Sequence, residues 1–220
     1  MKRLKTYKSL ALMALFSTLA ASGIALMLKA AVGVGAFDAA TQSLSLVTGI
    51  RIGTIAMILN LSFVAGQWII LKKNFGFTHM LQIPLSILLG TMVNFFYYDF
   101  FGTLAVESYI LSLIMYIVAL VLVSFSTSIV MAIDLVTFPI ESLCMSLAEI
   151  TPFKFGTLRQ LFDVLSVVLS LVLTLIYGLA PSIREGTVIG MLIFGPLMGF
   201  FIDKAQPLLK KSGVVEKASV

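Results

Sequence analysis

Apolar runs of about twenty residues recur along this 220-residue chain, at roughly 9–32, Ile52–Leu71, Thr78–Tyr98, Tyr109–Ile133, Phe155–Tyr177 and Gly186–Ile202. A bilayer hydrocarbon core of ~30 Å takes ~20 residues of helix to cross, so the pattern predicts six transmembrane helices. Between the first two runs lies a stretch, Gly33–Arg51, that is too short and too polar to be a span. As a helix from Phe37 it places Phe37, Ala40, Leu44 and Val47 on one face and Asp38, Thr41, Gln42, Ser45 and Thr48 on the other, which is amphipathic spacing. A second such stretch, bracketed by Pro139 and Pro152, follows the fourth run. The pattern leaves open whether these two short helices are re-entrant, interfacial or spanning.

The two stretches are related. A shift of 103 positions carries Asp38 onto Glu141, Ser43 onto Ser146, Leu44 onto Leu147, Thr48 onto Thr151, Arg51 onto Lys154, Gly53-Thr54 onto Gly156-Thr157 and Asn60 onto Asp163. The apolar-face positions land on Ile140, Leu143, Leu147 and Ile150. An acidic position, a basic position and a helical face repeating together indicate an internal repeat of about half the chain. The expected architecture is therefore all-α, a single polytopic membrane domain over 1–220. Repeat one covers about 9–100, repeat two about 108–204, and a short cytoplasmic tail follows at 205–220. Three spans per repeat is an odd number, so the second copy is expected upside down relative to the first, the signature of an inverted repeat.

Composition fits. Hydrophobic residues make up 60% of the chain and charged residues 11%, with a mean hydropathy of +1.09, outside the range of soluble domains. The net charge of +5 does not point to nucleic acid, because much of the basic charge, Lys2, Arg3, Lys5, Lys8, Lys204, Lys210, Lys211 and Lys217, sits at the two ends. With six spans and both termini in the cytoplasm, Lys72-Lys73 and Lys154 also lie inside, leaving Lys29, Arg51 and Arg184 near the outer surface, as the positive-inside rule prefers. Tyr97, Tyr98, Tyr109 and Tyr177 then fall at outer span ends and Trp68 at an inner one. The basic, apolar N-terminus is read as an uncleaved first span, since its apolar run continues to Val34. One cysteine, Cys144, and one histidine, His79, offer no disulfide and no multi-cysteine metal site, and no cofactor is expected.

The Gly-Val-Gly-Ala-Phe-Asp stretch at 33–38, Gly53-Thr54 opening the second span, the Ile-Pro-Leu-x4-Gly-x3-Asn run from Ile83 to Asn94 and its looser echo from Phe194 to Asp203 resemble the YitT/YczE-type family of bacterial integral membrane proteins. The resemblance covers nearly the whole chain. It implies a location in the bacterial inner membrane, but no settled biochemical activity.

Ionisable residues at membrane depth cost ~2.5–3.5 kcal/mol on insertion scales and are suspected of function for that reason. Candidate solute-binding residues are Asp38, Thr41, Gln42 and Ser45 on the first short helix, Glu141 on the second, and Asn60, Arg159 and Asp163 on spans two and five. Asp38 and Glu141 equally suit the first turn of a helix, where an acid complements the dipole. Arg159 is expected to pair with Asp163 at i,i+4, and Asp163 is the leading residue for ion or proton coupling. Gly33 and Gly35 offer backbone amides to an anion only weakly. Tyr98-Asp99 and a glycine pair near Asp38 bring intramembrane aspartyl proteases to mind, but order, spacing and depth are wrong, and no enzyme is expected. The leading function is a small secondary transporter of an unidentified solute, a monomer or half of a homodimer, working by alternating access between the repeats. The alternatives are a substrate-capture subunit that needs energising partners and a non-transporting accessory membrane protein.

Overall fold

A computed structural model describes the backbone of residues 2–211 and the side chains of 7–211. The described residues form nine α-helices: α1 (Lys2–Ala30), α2 (Ala36–Thr48), α3 (Ile52–Leu71) with a 3-10 turn after it (Lys72–Asn74), α4 (Phe77–Met80), α5 (Gln82–Asn94) with a π-helical end (Phe95–Phe100), α6 (Tyr109–Ile133), α7 (Pro139–Ile150), α8 (Phe155–Tyr177) and α9 (Glu185–Lys211). Six segments, including α4–α5 taken together, are long and apolar enough to cross a membrane, as the apolar runs predict. Span three is less uniform than its sequence suggests, since it turns at Leu81 just before Pro84 and ends in π geometry over Phe95–Phe100. Of the tail expected at 205–220, residues through Lys211 continue α9 as helix, and 212–220 lie outside the described residues.

α1 and α6 cross at the centre. Gly23 brings them close: a Cβ there would stand 2.6 Å from Val123 Cγ2 and 3.3 Å from the Ala119 carbonyl oxygen. Small residues at such crossings let backbones approach where the hydrophobic effect gives no drive between helices in lipid. α5 packs beside α1, and α9 beside α6. The short helices are exchanged: α2 lies on α8, and α7 lies on α3. Hydroxyl and amide side chains hold these exchanged contacts. Ser43 meets Ser170 at 2.8 Å and Ser182 at 3.3 Å, while Gln67 Nε2 donates to the Pro139 carbonyl at 3.0 Å and Ser142 Oγ donates to Gln67 Oε1 at 2.8 Å. Gln67 and Ser170 are 103 positions apart and both are fully buried.

Two further features follow the same offset. α1 and α6 both end in a residue with left-handed backbone, Ala31 at φ 54° and Asp134 at φ 53°, which turns the chain sharply into α2 and α7. α2 packs on α3 as α7 packs on α8.

One contact breaks the pattern. α3 packs tightly on α5 through Gly53 and Gly90, so that a methyl on either would overlap the other's carbonyl oxygen. Asn94 ties the crossing, its Oδ1 accepting from the Gly53 amide at 2.8 Å and its Nδ2 donating to Thr54 Oγ1 at 2.9 Å. The corresponding helices α8 and α9 share no comparable contact among the described residues, and Gly156, Gly195 and Gly199 face open space. Of α8 only Leu158 and Ser170 are buried, leaving an apolar belt that includes Leu161, Val164, Leu165 and Val168.

Candidate functional site

The buried residues of α2 are Ala36, Ala39, Ala40, Thr41 and Ser43, while Leu46 is 51% exposed. Of the apolar face read from the sequence, Ala40 is buried and Phe37, Leu44 and Val47 are half-buried, and of the polar face Thr41 is buried and Thr48 exposed. Small and hydroxyl-bearing side chains make the close contacts here because α2 lies on α8 and α3, and Leu46 turns outward. Ser45 and Thr48 serve the helix end: Ser45 Oγ donates to the Ile50 carbonyl at 2.6 Å, Thr48 Oγ1 to that of Leu44 at 2.7 Å. Ser45 lies outside the cavity described next. Gln42 is half-buried on α2, outside the cavity described next.

Asp38, Thr41 and Asn60 come together. They line a cavity of about 70 Å³ whose remaining wall is Ile24 and Leu28 of α1, Phe37, Ile52 and Ala56, and Leu89, Gly90 and Val93 of α5. Asp38 and Thr41 sit one turn apart on α2, and Thr41 Oγ1 donates to the Asp38 carbonyl at 2.8 Å. Among the described residues no hydrogen-bond donor reaches the Asp38 carboxylate, and the Asn60 side chain, only 7% exposed, makes no hydrogen bond. The absent side chain of Gly35 leaves room for the acid, as a Cβ there would stand 3.2 Å from Asp38 Oδ2. Burial pushes the Asp38 carboxyl up to about 6, against the opposing pull of the Arg159 guanidinium.

The other charged candidates form a separate cluster. Arg159 Nε meets Glu141 Oε1 at 3.2 Å and Arg159 Nη1 pairs with Asp163 Oδ1, the expected i,i+4 contact. Glu141 Oε2 is buried without a partner, and burial raises this carboxyl despite Arg159. Asp163, the leading coupling candidate from sequence, is therefore already paired with a cation, whereas Asp38 makes no ion pair among the described residues. Phe63 stands between the two groups' neighbours, its ring centroid 6.1 Å from that of Phe37 and 5.8 Å from that of Phe162.

The connection from α1 to α2 is latched onto the start of α9. The Gly186 amide donates to the Val32 carbonyl at 2.7 Å, Thr187 Oγ1 accepts from the Val34 amide at 3.2 Å, and Arg184 donates to the Ala31 carbonyl. Tyr116, fully buried mid-way along α6, donates its hydroxyl to the Gly186 carbonyl. Gly33, at φ 113°, lies against Thr187, so its conformation serves the latch and not an anion. Residues 134–137, 103 positions on, make no such latch; they border a polar cavity of about 170 Å³ with Thr78, His79, Gln82 and Ser142.

Sequence reasoning missed Tyr116, Gln67, Gln82 and Thr187. A polar side chain inside an apolar run was the available signal for the first three, since each such group seeks a partner inside the bundle.

These features define an all-helical fold of the multi-pass membrane type. Residues 7–203 match the model of a family of unknown function (DUF6198), and the chain belongs to that family. No curated protein and no solved structure matches it.

Proposed function

We propose that this protein is a small secondary transporter of the bacterial inner membrane, both termini cytoplasmic, whose inverted halves alternate in opening to the two sides. Kinship with the YitT/YczE-type proteins belongs to the same reading. What supports it is the difference between two places related by the 103-residue offset: Ala31–Val34 is latched to α9, while Asp134–Thr137 borders a polar cavity beside α4 and α5. The α3–α5 and α8–α9 pairs differ in the same sense, one closed through glycines and the other apart. Exchange of these two arrangements moves access from one side to the other, with the Asp38 cavity and the Arg159 cluster between them.

Liposomes containing only this protein test the reading, by counterflow of a panel of labelled small solutes. Accumulation of one of them is expected, and joining Val34→Cys to Thr187→Cys with a short cleavable thiol crosslinker should stop it until the link is cut. A capture subunit or an accessory protein would bind or assemble without translocating.

A further inference from the structure

We infer that the cavity walled by Asp38, Thr41 and Asn60 is a binding site for a small primary ammonium ion carrying a short apolar tail. Three observations converge on that chemistry. The first is charge. The Asp38 carboxylate has no hydrogen-bond partner among the described residues, and no cationic side chain lines the cavity. Arg159, the nearest interior cation, is already held by Glu141 and Asp163, so the three interior acids exceed the one guanidinium by two charges. Groups of this kind are satisfied by a cationic ligand.

The second is the donor and acceptor count. A primary ammonium has three N–H donors and no acceptor. The cavity presents three acceptor groups: the Asp38 carboxylate, the amide oxygen of Asn60 and the hydroxyl oxygen of Thr41, whose own proton is committed to the Asp38 carbonyl. Asn60 is more than nine-tenths buried and its side chain makes no hydrogen bond among the described residues, so a ligand can take it up. A hard metal cation is served poorly, because calcium takes about 6–8 oxygens and these few side chains cannot supply them. The third is the remaining wall, which is Ile24, Leu28, Phe37, Ile52, Leu89 and Val93 with smaller residues between. Apolar walls with a few convergent polar groups are the usual form of small-molecule sites, and Phe37 offers a ring to a cation. At about 70 Å³ the cavity holds the volume of roughly two waters, which sets the ligand at the size of methylammonium or ethylammonium.

The inference rests on the transport reading for the ligand's role as cargo or coupling ion, but binding is measurable without transport. The experiment follows thermal unfolding of the full chain in detergent at pH 7.5, with methylammonium, ethylammonium, tert-butylammonium or sodium chloride at equal ionic strength. Methylammonium and ethylammonium should raise the midpoint saturably, and tert-butylammonium and sodium should not. Asp38→Asn should raise the half-effect concentration of ethylammonium at least tenfold and Asn60→Ala several-fold, while Glu149→Gln on the exposed side of α7 leaves it unchanged. Absence of a saturable shift, an equal shift with sodium, or unaltered half-effect concentrations in the two cavity variants would overturn the proposal. If Asp38→Asn is not monodisperse, Asn60→Ala decides alone. Binding without uptake in liposomes would remove the transport reading and leave the site, and uptake of another solute without ammonium binding would do the reverse.

Discussion

Gly53 and Gly156 stand 103 positions apart, each one residue into the helix that follows a short amphipathic one, yet their surroundings differ completely. A methyl on Gly53 would overlap the Gly90 carbonyl oxygen and stand 2.8 Å from Asn94 Oδ1, and backbone cannot retreat as a flexible side chain can. Gly53→Ala therefore separates α3 from α5. Overpacking of this kind costs ~1–3 kcal/mol. Stretching the Gly53–Asn94 hydrogen bond adds about 1 kcal/mol, so the sum is on the order of 2–4 kcal/mol. A methyl on Gly156 meets nothing within 4 Å, and alanine in place of a helical glycine stabilises by roughly 0.5–1 kcal/mol. The same substitution at equivalent positions is thus expected to have opposite signs. Unfolding of the purified variants in detergent, by heat or by denaturant at constant lipid content, reads both. Equal and opposite-to-expected results, Gly53→Ala neutral or Gly156→Ala as harmful as Gly53→Ala, would refute the assignment of a closed and an open helix pair. Alternating access adds that Gly156→Ala slows transport while leaving the protein stable, because α8 and α9 must close through that glycine.

Arg159→Met leaves Glu141 and Asp163 without their shared cation; full burial would make this cost about 3–5 kcal/mol, and the partial exposure of all three side chains reduces it to about 1–3 kcal/mol, recovered largely in the triple variant with Glu141→Gln and Asp163→Asn. For pH, the folded Asp38 carboxyl at about 6 lies above its ordinary 3.8, so folding favours its protonated form: stability is greatest below about 4, falls as pH rises to about 6, and Asp38→Asn flattens that portion of the curve. Burial sets this value and Arg159 from α8 holds it down. Tyr116→Phe leaves the Gly186 carbonyl without its donor and is expected to lower the midpoint of unfolding by a few degrees and to raise thiol labelling at Val34→Cys, the two measured on one preparation.

The spans were legible because lipid demands length and apolarity together, and Phe155–Tyr177 and Tyr109–Ile133 were bounded to the residue. The 103-residue offset was read from acids, glycines and a helical face, and the left-handed residues Ala31 and Asp134 stand at that same offset; an aspartate commonly adopts that conformation, whereas alanine does not advertise it. Which side of α2 packs inward was not legible, because the amphipathic rule assumes water outside the helix; here small and hydroxyl side chains make the close contacts and Leu46 faces outward. The exchange of α2 onto α8 and α7 onto α3 had no local signature at all, as it joins residues more than 70 positions apart, such as Gln67 and Ser142.

Alternating access between inverted halves needs those halves to have opposite orientation, and Arg51 and Lys154, 103 positions apart and both exposed, report it most directly. In a Cys144→Ser background, Arg51→Cys or Lys154→Cys is treated in right-side-out vesicles with a membrane-impermeant maleimide, and total reactive thiol is read after permeabilisation. The account requires Arg51→Cys to be blocked from outside and Lys154→Cys to react only once the vesicles are opened. Blocking of both from the same side would mean parallel halves, and alternating access between inverted repeats would be contradicted.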